Sequence, residues 1–379
     1  MASSQSVMIV AGEASADMHG AGLARALKKK RPDLAICGMG GEELAGAGVE
    51  ILYDASLISV VGLVEVFSHL PHIRRAMKIL KKRLEEGRPN LLILLDLPDF
   101  NLRLAAHAKK LGIPVLYYIS PQIWAWRTGR VKKIARLVDR MAVILPFEQE
   151  FYRQHGMQVD FVGHPLVDSI KLHGNGQQAG TDTLSSGPIR LGIMPGSRRK
   201  ELDALLAVFF DACKRLTARH AIDAVYLFCA PGVNPSAIQS RIPEDLKQRV
   251  QVVERDRYDF MRRCTAVLVA SGTATLELAL LNTPMVVAYR MAPLTYWFAR
   301  RLVKVPYMSL VNLVAERQVV PELLQEKVSA EVLVAEILPL LSKSDERRRM
   351  LEGFALLRQK LGNRGASEKT AEIALDMLG

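Results

Sequence analysis

The feature that most constrains the fold of this chain is an alternation of short apolar runs with amphipathic segments. Runs such as Leu91–Leu95 and Val115–Ile119 carry no charge and have the length of buried strands. Between them, segments such as His72–Glu86 repeat apolar residues at the helical spacing and place basic residues on the other faces. Continuous apolar strands separated by helices are typical of a parallel sheet covered on both sides. The sequence therefore predicts an α/β fold.

The alternation stops between Lys171 and Pro188, where glycine, serine and glutamine are frequent, and it resumes at Ile189. A chain of 379 residues is also too long for one ordinary core. We therefore predict two Rossmann-like domains facing across a cleft, with residues 1–180 in the first and residues 181–344 in the second. The helices expected within residues 345–379 can pack on either domain.

The net charge of +12 predicts a polyanionic partner: nucleic acid, an anionic membrane face or a phosphorylated substrate. No nucleic-acid-binding signature occurs, which disfavours the first of these. The N-terminus lacks the features of a signal peptide, and no apolar run approaches the roughly 18 residues of a membrane span. The 4 cysteines form no CxxC pair and no cluster with metal-ligand spacing, so we expect free thiols, a cytoplasmic protein and no bound metal.

A turn of small residues follows the first apolar run and contains Glu13, Ser15 and Asp17. It is not the GxGxxG fingerprint of a dinucleotide site. Its two carboxylates would repel a pyrophosphate but can orient sugar hydroxyls. The alternative is that Ser15 or Asp17 only caps the helix that follows.

Asp96 stands directly after the apolar run Leu91–Leu95, at the predicted carboxyl end of a strand. In an open α/β sheet this position faces the ligand crevice. Pro98 ends the strand, and Asp99 or Asn101 can cap the next helix, which leaves Asp96 without a structural duty. The pattern favours a general base or a hydroxyl-binding group at Asp96.

Two loops of the second half have the composition of phosphate sites. Ser197 and Arg198 follow a glycine between an apolar run and a helix, and arginine pairs with phosphate oxygens in bidentate fashion. The Walker A sequence is missing, which disfavours ATP hydrolysis. The second loop is Ser271-Gly272-Thr273, and Glu277 one helical turn later can accept both hydroxyls of a ribose. A capped helix with a dipole-matched glutamate is the alternative there.

The segment Leu57–Leu70 contains one charged residue, Glu65, and a cluster of basic residues follows it. If exposed, it would form an apolar surface beside a positive rim, which suits docking on anionic lipid through side chains such as Val64, Val66 and Phe67. If buried, it is part of the core.

Taken together, these motifs resemble those of the lipid-A-disaccharide synthases, GT-B glycosyltransferases of family 19 in bacterial outer-membrane biogenesis. They occur in the family's order from near residue 12 to near residue 315. One departure is Ala16, where the family usually has glycine; a methyl group matters there if the turn needs a positive φ or a close approach of the ligand. The resembling motifs are Gly12–Asp17, Gly62–Val66, Asp96–Asn101, Pro121–Arg127, Val162–Pro165, Pro195–Arg198, Ala270–Glu277, Tyr289–Met291 and Ser309–Leu313.

The resemblance implies an inverting transfer in lipid A (lipopolysaccharide) biosynthesis. UDP-2,3-diacylglucosamine would donate its sugar to the 6-hydroxyl of 2,3-diacylglucosamine 1-phosphate, giving the β-1,6-linked disaccharide 1-phosphate and UDP. It also implies that no metal or cofactor is required and that the protein lies peripherally on the cytoplasmic face of the inner membrane. The oligomeric state stays open.

The resemblance also suggests a role for each candidate residue. Asp96 would be the general base, and Arg198 would stabilise the leaving diphosphate. Sugar hydroxyls would be held by Glu13, Ser15 and Asp17. Nucleotide contacts would come from Ser197, Ser271, Gly272, Thr273, Glu277, Arg290 and Asn312.

Two other classes of protein stay open. The first is a GT-B enzyme acting on UDP-N-acetylglucosamine without acyl chains, either a transferase or a 2-epimerase. The second is a non-catalytic protein that binds a UDP-sugar or lipid.

Overall fold

The computed structural model describes residues 5–58, 66–126, 128–172, 187–230, 232–292, 296–297, 305–363 and 365–379. The chain divides into two compact units. The first comprises Met1–Pro165 and Gly362–Gly379, and the second comprises Leu166–Leu361. The domain boundary predicted near residue 180 lies outside the described residues.

The first unit is built on a parallel sheet of seven strands. In chain order the strands are β1 (Ser6–Ala11), β2 (Ala35–Gly40), β3 (Glu50–Asp54), β4 (Leu91–Leu95), β5 (Val115–Tyr118), β6 (Arg140–Val143) and β7 (Asp160–Phe161). Their order across the sheet is β3-β2-β1-β4-β5-β6-β7. Every residue of β4 is 0% exposed, which shows that both faces of the central sheet are covered.

Helices connect these strands. The amphipathic sequence of α3 is explained by its burial, because one face packs on the core and the other faces solvent. Ala76, Leu80 and Leu84 are buried in the core, whereas Arg74 and Lys78 are exposed. This confirms the helix predicted from the spacing of its apolar residues. The helices are α1 (Ala14–Lys30), α2 (Glu42–Gly46), α3 (Val66–Gly87), α4 (Pro98–Lys110), α5 (Ile123–Trp126), α6 (Val131–Leu137) and α7 (Pro146–Gln154).

The second unit repeats this plan with a parallel sheet of six strands. The strands are β8 (Arg190–Met194), β9 (Ala224–Phe228), β10 (Val250–Val253), β11 (Ala266–Ala270), β12 (Met285–Tyr289) and β13 (Glu322–Leu324), in the order β10-β9-β8-β11-β12-β13. Its helices are α8 (Leu166–Leu172), α9 (Arg199–Ala218), α10 (Pro235–Gln239), α11 (Arg257–Arg263), α12 (Ala274–Leu280), α13 (Leu310–Ala315), α14 (Ala330–Ile337) and α15 (Asp345–Lys360). The two doubly wound sheets confirm the predicted fold class.

The last helix, α16 (Ala366–Leu378), belongs to the first unit although it follows the second in the chain. It packs closely on α1, where a Cβ atom at Gly22 would lie 2.8 Å from Ser367 Oγ. Lys30 and Glu372 add an ion pair of 2.9 Å between the two helices. The C-terminal helices are therefore divided: α15 belongs to the second unit and α16 to the first.

The lipid-docking segment is described only in part. Val64 lies outside the described residues, as do the side chains of Val66 and Phe67, whose backbone begins α3. Before this gap, Leu57 is 44% exposed and Ile58 is buried. Among the described residues, no helix is both long and apolar enough to cross a bilayer.

Candidate active site

The first candidate loop lies where the strand order of the first sheet reverses. Ala11 of β1 lies opposite Leu95 of β4 in the parallel register, so the loops after these two strands are neighbours. Ligands of open α/β sheets bind in the crevice at this point. The structure thus brings Glu13 and Ser15, which are exposed, to the same sheet edge as Asp96, which is half-buried.

Glu13 is the N-cap residue of α1, and the helix has no side-chain cap. The alternative that Ser15 or Asp17 caps this helix is therefore wrong. Ala16 lies within α1, is 2% exposed and is not among the residues with positive φ. A methyl group at this position consequently causes no backbone strain.

Asp17 is buried and anchors a neighbouring helix. Its carboxylate accepts the backbone N–H groups of Gly41, Glu43 and Leu44 at 2.7, 3.0 and 3.3 Å. These groups lie at the N-terminus of α2, where a negative charge is favourable. The structure therefore shows that Asp17 joins α1 to the N-terminus of α2, and its contact with a sugar stays a prediction.

The turn at Asp96 is strained. Asp96 has φ +54° and Leu97 has φ +43°, so two successive non-glycine residues are left-handed. This conformation costs about 1–2 kcal/mol per residue. Leu97 also packs on the β1 loop, because a Cβ atom at Gly12 would lie 2.7 Å from Leu97 Cδ2. No hydrogen bond among the described residues uses the Asp96 carboxylate.

Two buried side chains hold this turn. Asn101 Nδ2 donates to the carbonyl oxygens of Leu95 and Asp96 at 2.9 and 2.6 Å. The hydroxyl of Tyr117, on β5, donates to the Asp96 carbonyl oxygen at 2.6 Å. The sequence suggested Asp99 or Asn101 as the cap of α4, but its N-cap residue is Leu97, without a side-chain cap, so both suggestions were wrong.

A buried polar network that the sequence did not indicate lies beside the next loop. Glu148, 1% exposed, accepts hydrogen bonds from Trp124 Nε1 at 3.2 Å and from the backbone N–H of Leu145 at 3.0 Å. Burial raises the pKa of Glu148 to about 7, against the opposing effect of these donors. Ser120 and Tyr152 share a hydrogen bond of 2.7 Å next to it. The arrangement fixes the start of α7 and the indole ring.

Two histidines of the first unit are buried. Burial lowers the pKa of His19 to about 4. Burial, together with the charge of His19, lowers the pKa of His164 to about 3. Both rings are therefore neutral at physiological pH.

The second unit has an equivalent crevice between β8 and β11. Met194 lies opposite Val269, and the strand order reverses between these two strands. The loops that follow carry the predicted phosphate-binding residues. Ser197, Arg198, Gly272 and Thr273 are exposed, and Ser271 is half-buried. The structure thus places both predicted loops at one sheet edge.

Glu201 occupies the N-terminus of α9. Its carboxylate accepts the backbone N–H groups of Ser197 and Arg198 at 3.1 and 3.3 Å and pairs with the Arg198 guanidinium at 3.3 Å. Gly196 has φ +105°, and a Cβ atom there would collide with this carboxylate. A bound diphosphate would have to replace Glu201 at these donors.

The second loop is partly tied to the framework. Ser271 Oγ donates to the carbonyl oxygen of Met308 at 2.8 Å, and Thr275 Oγ1 donates to that of Gly272 at 2.8 Å. A Cβ atom at Gly272 would have no neighbour within 4 Å, so the backbone there is open to a ligand. The loop therefore offers Gly272 and Thr273 as accessible groups.

Glu277 lies one turn into α12 and is largely buried. Burial raises its pKa, opposed by the charge of Arg257, whose Nη2 lies 4.0 Å from the carboxylate. The hydroxyl of Tyr258 donates to Glu277 at 3.4 Å. Arg257 Nε is buried without a hydrogen-bond partner in the described part of the chain. Arg257 and Tyr258 were not indicated by the sequence.

Arg290 and Asn312 form hydrogen bonds to backbone groups of the second unit. Arg290 donates to the carbonyl oxygens of Val328 and Ala204. Asn312 is 0% exposed and donates to the Val320 carbonyl and to Glu322 at 2.9 and 2.7 Å. Nucleotide contacts by Arg290 and Asn312 stay predictions.

The Asn312 side chain also accepts hydrogen bonds, from the N–H groups of Val319 and Val320 at 2.7 and 3.0 Å. Glu322 in turn accepts the hydroxyl of Ser309 at 2.7 Å and the backbone N–H of Met308 at 2.8 Å. The sequence did not indicate Glu322, which connects Asn312 with the segment that receives Ser271.

The described residues contain no group of three or more His, Cys, Asp or Glu side chains that could hold a metal ion. The four cysteines are buried free thiols, as predicted.

The sequence is similar over nearly its whole length to one known protein family. A family model described as lipid-A-disaccharide synthetase matches residues 7–376. The lipid-A-disaccharide synthase of Geobacter sulfurreducens is 44% identical over 377 residues, which cover 99% of this chain and 98% of that protein.

Solved structures with much lower identity share the fold. A putative UDP-N-acetylglucosamine 2-epimerase from Listeria monocytogenes has a TM-score of 0.65 at 15% identity, covering 92% of this chain and 91% of that chain. MurG from Acinetobacter baumannii has a TM-score of 0.60 at 14% identity, covering 98% and 99%. At such identities the likeness concerns the fold alone.

Proposed function

Since the chain belongs to the lipid-A-disaccharide synthetase family, we propose that its two sheet crevices divide the work of glycosyl transfer. The reaction joins UDP-2,3-diacylglucosamine to 2,3-diacylglucosamine 1-phosphate, and it yields the β-1,6-linked lipid A disaccharide 1-phosphate and UDP. In the proposed division, the first unit binds and activates the acceptor, and the second unit binds the UDP-sugar.

Asp96 acts as the general base. It takes the proton of the acceptor 6-hydroxyl while that oxygen attacks C1 of the donor from the face opposite UDP, which inverts the anomeric centre. The observation that carries this role is the strained turn at Asp96, at the strand-order reversal, where the carboxylate makes no hydrogen bond to any residue that the structure describes. General-base assistance contributes about 10²–10⁴-fold to the rate. Glu13 and Ser15 orient sugar hydroxyls at the same edge, at the start of α1, which Asp17 joins to α2.

Arg198 and Ser197 stabilise the negative charge that grows on the departing diphosphate. The donors are the guanidinium, the serine hydroxyl and the backbone N–H groups at the start of α9, whose helix dipole adds to their effect. In the present arrangement Glu201 holds the two N–H groups. Binding of UDP therefore requires Glu201 to rotate away, and Arg198 then exchanges a carboxylate for a phosphate.

The remaining nucleotide contacts come from the second loop. Gly272 and Thr273 bind phosphate together with Ser271, and Glu277 accepts the ribose hydroxyls. Arg290 and Asn312 contribute through the backbone segments that they hold.

The protein associates with the cytoplasmic face of the inner membrane. Both substrates carry acyl chains, and Arg74, Arg75 and Lys78 form an exposed basic rim on α3. Each basic residue near an anionic surface contributes about 1 kcal/mol to binding. The apolar segment that precedes this rim supplies the inserted side chains.

The base is tested by Asp96→Asn, with Asp99→Asn as the matched control. Asp99 is also a carboxylate close to the end of β4, in the first turn of α4, but its side chain is 70% exposed and pairs with Arg130 at 2.8 Å. With both acylated substrates and mass spectrometric detection of the disaccharide, we expect Asp96→Asn to lower kcat by about 10²-fold or more. Asp99→Asn should keep turnover. Wild-type turnover by Asp96→Asn would remove Asp96 from this role.

Membrane docking is tested by the combined substitution Val64→Ser, Val66→Ser and Phe67→Ser. We expect this variant to lose sedimentation with vesicles that contain phosphatidylglycerol. The control is Leu356→Ser in the second unit, where the leucine is 49% exposed. Equal vesicle binding by the two variants would refute the assignment of the docking surface.

A further inference from the structure

The backbone carbonyl of Asp96 receives two side-chain hydrogen bonds at the point where the chain is strained. Asn101 Nδ2 and the Tyr117 hydroxyl both lie 2.6 Å from this oxygen, and both side chains are 0% exposed. They reach it from different elements, α4 and β5. The carbonyl is therefore fixed from two directions.

This fixation decides where the carboxylate lies. Asp96 and Leu97 hold φ values of +54° and +43°, which non-glycine residues leave for the extended or right-handed regions unless the surroundings prevent it. Such a change would rotate the peptide plane and displace the Asp96 side chain. A misplacement of about 1 Å in a reacting group costs roughly 10²-fold in rate.

The turn at Asp96 and the side chain that holds it contain two features that lower the stability of the fold. Besides the strained turn, Asn101 Oδ1 is buried without a hydrogen-bond partner among the described residues. An unpaired buried acceptor lowers stability. In Asn101, Nδ2 holds the Asp96 carbonyl while Oδ1 stays unpaired within the described part of the chain. A local loss of stability of this kind is typical of a functional site, where the position of a reacting group matters more than stability.

We propose that Asn101 and Tyr117 are positioning residues for glycosyl transfer, which hold the left-handed turn and thereby aim the Asp96 carboxylate at the acceptor hydroxyl. The inference rests on the proposed role of Asp96 as the general base. Neither residue touches the substrate, and both act through the Asp96 backbone.

The test is Tyr117→Phe, which removes one hydroxyl from a buried ring. We expect kcat to fall by about 10- to 100-fold, while KM for the UDP-sugar changes by less than about twofold. The matched control is Tyr152→Phe, because Tyr152 is also 0% exposed and loses one hydrogen bond of 2.7 Å, to Ser120. This control should keep kcat, and both melting temperatures should lie well above the assay temperature.

A double-substitution cycle separates positioning from general weakening of the fold. If Tyr117 acts through the base, Tyr117→Phe should cost nothing further in an Asp96→Ala background. Asn101→Ala, which removes the second donor, is measured in the same way and replaces Tyr117→Phe if that variant does not fold.

The outcomes also separate this inference from the proposed function. Wild-type turnover by Asp96→Asn would refute both the role of Asp96 as the general base and the positioning role of Asn101 and Tyr117. If Asp96→Asn is inactive but Tyr117→Phe keeps wild-type kcat, only the inference is overturned. It is equally overturned if Tyr117→Phe lowers the residual rate of Asp96→Ala by the same factor as in the wild type.

Discussion

Replacement of Asn312 by alanine should destabilise the second unit severely. The substitution leaves the N–H groups of Val319 and Val320 without their acceptor and removes the donor to Glu322. Each unpaired buried group costs about 1–3 kcal/mol. We expect a loss of about 4 kcal/mol in the free energy of unfolding, from the two N–H groups with a small contribution from the cavity.

The matched control is Asn234→Ala, which removes the same amide from an exposed helix cap. Among the described residues, the Asn234 side chain makes one hydrogen bond, in which its Oδ1 accepts the Ser236 N–H at 2.9 Å, so its loss should cost about 1 kcal/mol. For a unit of this size, about 1 kcal/mol shifts the melting temperature by roughly 2–4 °C. Calorimetry should therefore show a fall of about 8–16 °C for Asn312→Ala and about 2–4 °C for the control.

Equal shifts in the two variants would refute this account of Asn312. The binding of UDP, measured below both melting temperatures, answers a separate question. If Asn312→Ala melts as expected and still binds UDP, its role is confined to the framework. A loss of affinity in the folded variant would show that Asn312 supports UDP binding, either by contact or through the backbone segment that it holds.

Two further predictions concern a glycine and the buried histidines. Gly196→Ala should weaken UDP binding by about 10-fold or more, because alanine is strained at the φ of +105° from which the loop presents the N–H groups of Ser197 and Arg198. Titration calorimetry measures this, and unchanged affinity would contradict it. His19 and His164 have lowered pKa values, so the free energy of unfolding should fall as the pH drops below 6.5, by about 2–3 kcal/mol per histidine at pH 4.5. Glu148, with its raised pKa, changes the free energy of unfolding with pH in the opposite direction. The pH dependence of this free energy is therefore compared between the wild type and His164→Gln. Identical pH dependence in the two proteins would refute the lowered pKa of His164.

The sequence located the two crevices because the apolar strands ended where polar residues began. The run Leu91–Leu95 matches β4 at both ends, so Asp96 was correctly expected at a carboxyl end. The loops at Ser197 and Ser271 were found in the same way. In such places a local pattern suffices, because the strand and its loop are adjacent in the chain.

Features that depend on distant partners were not predictable. The helix α2 was missed because its N-terminus is held by Asp17, about two dozen residues earlier in the chain. Asn312 was recognised as a motif residue, but its burial depends on Glu322 and on β13, a strand too short to show a pattern. The left-handed turn at Leu97 contradicts the usual preference of leucine, which tertiary hydrogen bonds override.

The position of α16 has a consequence for synthesis of the protein. The ribosome completes β1 to β7 early, but the helix that covers α1 emerges only after the whole second unit. Until then, the nascent first unit exposes a face of α1 that fits this thirteen-residue helix, and the second unit has to fold in the interval. A ribosome that stops before this helix therefore releases a chain with one finished unit and one with a bare apolar face, a substrate for chaperones and proteases.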